Sequence, residues 1–191
     1  MTKLFPALLA GAFLLSGCEE PKPNLADQRR SENIEDCRTC PVIKPKTAYL
    51  INGLGVYGKP GMMGAIQAEL QKRGWKVTVL NHTDGKRLTS MPRVLIGHSM
   101  GANAALKRSQ IFIRNHPDLI VSIDAGRAPL FHRAPESKAR VVDISCPYHP
   151  IGGQSVQGAD LYREVCGTAH TAMPHDRRVI DIIIKEVEAL K

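Results

Sequence analysis

The most specific chemical pattern in the chain lies at Gly97-His98-Ser99-Met100-Gly101, between the apolar run Val94-Leu95-Ile96 and the small-residue stretch Ala102-Asn103-Ala104-Ala105-Leu106. A strand that turns sharply into a helix here forces the serine backbone into a strained conformation. Glycines two residues to either side let neighbouring chain approach without side-chain clash. Ser99 is thereby presented above a sheet as a candidate nucleophile. The start of the following helix brings unpaired N–H groups and a partial positive charge to the same point, which suits a developing oxyanion.

An oxyanion site needs a second N–H donor, and Asn52-Gly53-Leu54-Gly55, at the end of the first apolar run, offers one. Read plainly, that stretch is a glycine turn. With Gly53 and Gly55 free to aim the backbone, the amides of Leu54 and Met100 are the expected pair of donors.

A serine nucleophile also needs a base, and the chain has seven histidines. The stretch Val165-Cys166-Gly167-Thr168-Ala169-His170-Thr171-Ala172-Met173, with Asp176 and Val179 beyond it, resembles the histidine loop of lipase- and thioesterase-like α/β hydrolases. In that pattern the histidine is followed by a small residue and, six positions on, by an acid that opens the last helix. The resemblance implies His170 as the base, with His175 the weaker candidate. It also implies the chain order serine, acid, histidine. His98 is expected to shape the elbow, and His82, His116, His132 and His149 to be surface or loop residues. No two histidines have metal-ligand spacing on a helix, so no metal and no cofactor are expected.

The third member must be a carboxylate that fixes the imidazole tautomer. Asp124 ends the run Leu119-Ile120-Val121-Ser122-Ile123, 25 residues after Ser99, where thioesterase-like members of the family resembled carry their acid. Asp143 lies inside Val141-Val142-Asp143-Ile144, the later strand that more often supplies it. Asp124 is favoured because a strand-end residue can reach a loop histidine; Asp160 is a third candidate.

Short apolar runs alternate with longer amphipathic ones: 47–52, then 62–73; 76–80; 93–96, then 102–114; 119–123; 140–144; and a closing helix over 176–190. Five β-rich runs interleaved with helices predict an α/β three-layer sandwich with a mostly parallel sheet. The closing helix would turn Val179, Ile182, Ile183, Val187 and Leu190 towards the core. The resemblance covers residues 46–191. No long insertion separates sheet from helix there, so a minimal, lidless layout is expected.

The N-terminus is of a different kind. Lys3 precedes an apolar run from Leu4 to Leu15, too short to span a bilayer, which ends in Leu15-Ser16-Gly17-Cys18. This resembles the bacterial lipoprotein signal, implying removal of residues 1–17 and lipidation of Cys18. Glu19 behind the cysteine resembles an outer-membrane address, which implies the periplasmic face of that membrane. Residues 18–45, rich in Pro, Glu, Arg, Asn and Asp, read as a tether.

Of five cysteines, Cys18 is thus assigned to lipid. An oxidising compartment and local spacing favour disulfides Cys37–Cys40 and Cys146–Cys166. The rival for Cys37-Arg-Thr-Cys40 is a redox or zinc site, but the pair lies in a polar linker before Pro41, and no second CxxC completes a metal set. The net charge of +8 comes from scattered residues, and only 5% of the chain is aromatic, so nucleic acid is not an expected partner. The expected partners are an ester or thioester substrate and, through the lipid anchor, a membrane. The rival from another class is a non-catalytic envelope lipoprotein that uses a hydrolase scaffold for binding.

Overall fold

The structure is a computed structural model that describes residues 44–54, 62–84, 88, 90–112, 115–127 and 133–190. The expected signal segment, Cys18, the Cys37–Cys40 pair and almost all of the expected tether lie outside the described residues, as does His132.

Six strands form one sheet: β1 (Thr47–Asn52), β2 (Lys76–Asn81), β3 (Val94–His98), β4 (Leu119–Ile123), β5 (Arg140–Ser145) and β6 (Leu161–Glu164). Their order is β2-β1-β3-β4-β5-β6, and every pair is parallel. Side chains alternate between faces along each strand. Leu50, Val94, Ile96, Val121 and Val142 pack with α1 (Gly64–Lys72) and with α3 (Arg177–Glu188) near the chain end. Ile51, Leu95, Ile120 and Val141 face the other way, onto Ala105 and Leu106 of α2 (Met100–Ile111). The result is the three-layer sandwich that the sequence predicts, with a wholly parallel sheet. Strands buried on both faces read as continuous apolar runs, which is why β1, β3 and β4 were legible.

The edge strand β6 was not expected. Its sequence Leu161-Tyr162-Arg163-Glu164 is largely exposed and carries neither an apolar run nor an apolar alternation. Pairing with β5 alone makes it a strand. The closing helix is rotated slightly from expectation: Val179, Ile180, Ile183, Ile184 and Val187 are buried, while Ile182 and Leu190 only pack against the core. Each fully buried aliphatic side chain there contributes roughly 1.5–3 kcal/mol. The helix begins where Asp176 accepts a hydrogen bond from the Arg178 amide at 2.9 Å, an N-cap that satisfies an orphan donor.

The sheet has one topological switch point. From β1 the chain crosses to β2 on one side, then returns to β3 on the other, so the carboxyl ends of β1 and β3 border a crevice. Among the described residues, no helix is long and apolar enough to cross a membrane.

Candidate active site

Ser99 sits immediately beyond β3 with φ 56° and ψ −124°, as the residue before α2. Its glycines are explained by packing. A methyl group at Gly101 would lie 2.0 Å from the Ile51 carbonyl oxygen, and one at Gly97 would lie 2.3 Å from the Gly101 oxygen. Helix α2 can therefore dock on β1 and β3 only with bare α-carbons at both positions. Gly53, just past β1, meets the serine from the other side: a methyl group there would fall 2.7 Å from Ser99 Cβ.

The remaining residues arrive by extension of the same ladder. The Ser99 amide donates to the Ile123 carbonyl at 3.0 Å, and the Asp124 amide donates to the Ile144 carbonyl at 2.7 Å. Asp124 thus stands beyond β4, one strand over from Ser99, with φ 44°. Ser99 and Asp124 are the two non-glycine residues with positive φ among those described. Such backbone strain costs roughly 1–3 kcal/mol per residue and persists where surrounding structure over-determines it.

Asp124 is fully buried, and His170, on the 3-10 turn His170–His175 that leads to α3, is nearly so. The His170 Nδ1–H donates to Asp124 Oδ2 at 2.5 Å, and the Cys146 amide donates to Asp124 Oδ1 at 3.0 Å. Burial pushes the Asp124 carboxyl up, but the hydrogen bonds from His170, the Cys146 amide and His149 outweigh it and hold the group below the ordinary carboxylate value. The acid is therefore ionised, and it fixes the His170 tautomer with Nδ1 protonated and Nε2 free to accept a proton.

Ser99 and His170 line one cavity of about 500 Å³, together with Leu54, Met100, Met62 and Ile151. The two expected oxyanion residues are therefore at the cavity, Leu54 just beyond β1 and Met100 as the first residue of α2. No hydrogen bond joins Ser99 Oγ to His170. Catalytic contacts of this kind often tighten only when substrate is bound.

The rival residues fall elsewhere. By alternation Asp143 shares the face of Val141, on the α2 side of the sheet, where its Oδ2 accepts from the Val156 amide at 3.0 Å. Burial pushes its carboxyl up to about 6, opposed by that amide. Asp160 accepts from the Val141 amide at 2.7 Å, near the start of β5 and away from the strand ends that carry the site. His175 is exposed.

Two histidines have more defined places than the sequence suggested. His98 is buried within the elbow, and its Nε2–H donates to the His170 carbonyl at 2.9 Å, with ring centroids 4.7 Å apart. Burial, reinforced by His170, pushes the His98 imidazole down to about 4, so it is neutral and serves as a brace. His149, expected as a surface or loop residue, does sit on a loop but turns inward: its Nδ1 lies 2.5 Å from Asp124 Oδ2 and its Nε2 lies 2.7 Å from the Thr168 carbonyl. No periodic pattern marks it. The one available signal was its distance of three residues from Cys146, whose disulfide with Cys166 brings the two loops together.

Gly152 was missed as well. A methyl group there would come 2.3 Å from His170 Nδ1 and 2.6 Å from Asp124 Oδ2. By donor type, Asp124, His149 and His170 could hold a metal ion, since their ligand atoms lie within 4.8 Å of one another. The Nδ1 atoms instead stand at hydrogen-bond distance from the carboxylate, and Gly152 packs against the pair.

The wholly parallel sheet with helices on both faces is an α/β-hydrolase-like fold. A solved structure from Xanthomonas campestris pv. campestris, described as a candidate hydrolase of the alpha/beta superfamily, superimposes with a TM-score of 0.59 over 76% of this chain and 99% of that one, at 15% sequence identity. The likeness is one of fold. No family model matches the chain, and no curated protein matches it.

Proposed function

We propose that the chain is a serine hydrolase that cleaves an ester or thioester through a covalent acyl-enzyme. The observation that carries this reading is the Asp124–His170 hydrogen bond of 2.5 Å, beside a cavity that the strained Ser99 also lines. His170 Nε2 takes the proton from Ser99 Oγ as the oxygen bonds to the carbonyl carbon, and the Leu54 and Met100 amides receive the oxyanion. The same nitrogen then gives its proton to the departing alcohol or thiol. Water, deprotonated by His170, attacks the acyl-serine and releases the acid. The apolar side chains of Leu54, Met62, Met100 and Ile151 around the cavity favour an apolar acyl group.

The N-terminal sequence supports anchoring in a bacterial envelope through lipidated Cys18, at the periplasmic face of the outer membrane. Mass spectrometry of the native protein tests this: a diacylglyceryl-modified Cys18 at the new N-terminus is expected, and an intact leader with a free thiol at Cys18 would refute it.

The hydrolase reading is tested with a fluorophosphonate probe and short-chain p-nitrophenyl esters and thioesters. Ser99→Ala should abolish labelling and turnover without changing the thermal melt. Absence of both in the wild type would favour the binding-scaffold alternative. A second reading, a metal-dependent hydrolase, draws on the Asp124, His149 and His170 donor set. Activity that a chelator removes and zinc restores would support it; activity that survives chelation supports the serine mechanism.

A further inference from the structure

We propose that His149 is a positioning residue of this site, a second imidazole bound to the acid whose other ring nitrogen holds the segment that delivers His170. Its effect on turnover rests on the hydrolase reading above, whereas its contacts can be tested without it.

The geometry is unusual in one respect. Asp124 Oδ2 receives two imidazole Nδ1 atoms, from His170 and from His149, each at 2.5 Å. The other nitrogen of His149 lies 2.7 Å from the backbone carbonyl of Thr168, two residues before His170. Both partners of His149 are acceptors, an ionised carboxylate and a carbonyl. Through its two ring nitrogens His149 thereby links the carboxylate of Asp124 to the backbone of the segment that carries His170.

Its place in the chain gives the contact a function. The loop after β5 supplies both the Cys146 amide on Asp124 Oδ1 and His149 on Asp124 Oδ2. His149 thus reaches across the acid from the element that fixes it to the element that carries the base. At the other end of that segment His98 donates to the His170 carbonyl at 2.9 Å. The segment from residue 168 to 170 is therefore clamped at both ends by imidazole donors. Removing His149 leaves the Thr168 carbonyl without that donor and the segment braced at one end only. A displacement of His170 of about 1 Å can lower turnover by up to 100-fold while substrate binding is retained.

Three variants separate this role from a structural one. His149→Ala removes both contacts. His149→Gln keeps an N–H donor near the Nε2 position, towards Thr168, and His149→Asn keeps one near Nδ1, towards Asp124. With the folded variants, we expect His149→Ala to lower kcat by about 10- to 100-fold with KM within about two-fold, and His149→Gln to recover part of the loss. In proton NMR the wild type should show two low-field imidazole N–H resonances, both lost in Asp124→Asn. His149→Gln should remove one and shift the other, which belongs to His170. Unchanged kcat in His149→Ala, or a single low-field resonance indifferent to His149→Gln, would overturn the proposal. If the wild type hydrolyses nothing, the hydrolase reading fails and the resonances alone decide: a His170 signal that moves in His149→Gln supports the clamp, and one that stays refutes it.

Discussion

Gly152 lies directly against the Nδ1 edge of His170: a methyl group on its α-carbon would stand 2.3 Å from that nitrogen. No side-chain carbon sits that close to a nitrogen without displacing it. Gly152→Ala must therefore push His170 away from Asp124, or move the loop after β5 that carries Gly152. We expect kcat to fall by about 100-fold with a modest loss of stability, because misplacement of His170, the proposed base, costs more than the small packing adjustment around it. Steady-state kinetics with a parallel thermal melt check this. Wild-type kcat in Gly152→Ala would mean that the loop after β5 yields and leaves His170 in place, or that the Asp124–His170 contact does not control turnover.

The two buried aspartates, Asp124 just beyond β4 and Asp143 within β5, separate cleanly. Asp124→Asn keeps shape but offers an amide where the carboxylate fixed the imidazole, a change worth about 10⁴ in turnover in the serine protease triad. Asp143→Asn should leave turnover near wild type, since Asp143 contacts the Val156 amide on the α2 side of the sheet and no histidine. Measuring both on one ester decides the acid. A large loss for Asp143→Asn with Asp124→Asn near wild type would overturn the assignment.

What the sequence made legible and what it hid have distinct physical causes. Ser99 was readable because a strained turn that packs α2 against β1 demands glycine at fixed offsets, and composition records that demand. Asp124 and His170 were readable from strand ends and from resemblance. His149 and Gly152 act through contacts between loops that follow different strands, and no local period encodes such contacts. The strand β6 was hidden because its partner, rather than its own side chains, makes it a strand.

The disulfide between Cys146 and Cys166, 20 residues apart, joins the loop after β5 to the loop after β6. Closing a loop of that length restricts the unfolded chain enough to stabilise the fold by about 3 kcal/mol. Because Cys146 also donates its amide to Asp124, reduction should affect the site as well as the melt. We expect Tm to fall by roughly 10 °C with reductant or in a double Cys146→Ala, Cys166→Ala variant, and kcat to fall with it. Free thiols at both positions in non-reducing peptide maps would refute the pairing.

Stability towards acid should depend on two buried groups that act in opposite directions. The Asp143 carboxyl is pushed up by burial from 3.8 to about 6. The folded state therefore binds its proton more tightly than the unfolded chain does, so this group adds stability as pH falls from about 6 to about 4 and removes it as pH rises through the same window. The His98 imidazole is pushed down by burial from 6.5 to about 4. Here the unfolded chain binds the proton more tightly, so stability is lost as pH falls through nearly the same range. Each contribution is of order 3 kcal/mol, which means that the two largely offset each other in the wild type. Removing one should expose the other. Asp143→Asn should melt at higher temperature than wild type at pH 7, because no buried carboxylate remains to be desolvated, and should lose stability more steeply between pH 6 and pH 4. His98→Gln, which keeps an N–H donor near the Nε2 position for the His170 carbonyl, should instead gain stability relative to wild type as pH falls through that window. Melts of the three proteins at half-unit steps from pH 4 to pH 8 test the scheme. Parallel curves for all three would mean that neither group changes its proton affinity on folding, and that the burial of Asp143 and His98 in this sheet carries no electrostatic cost.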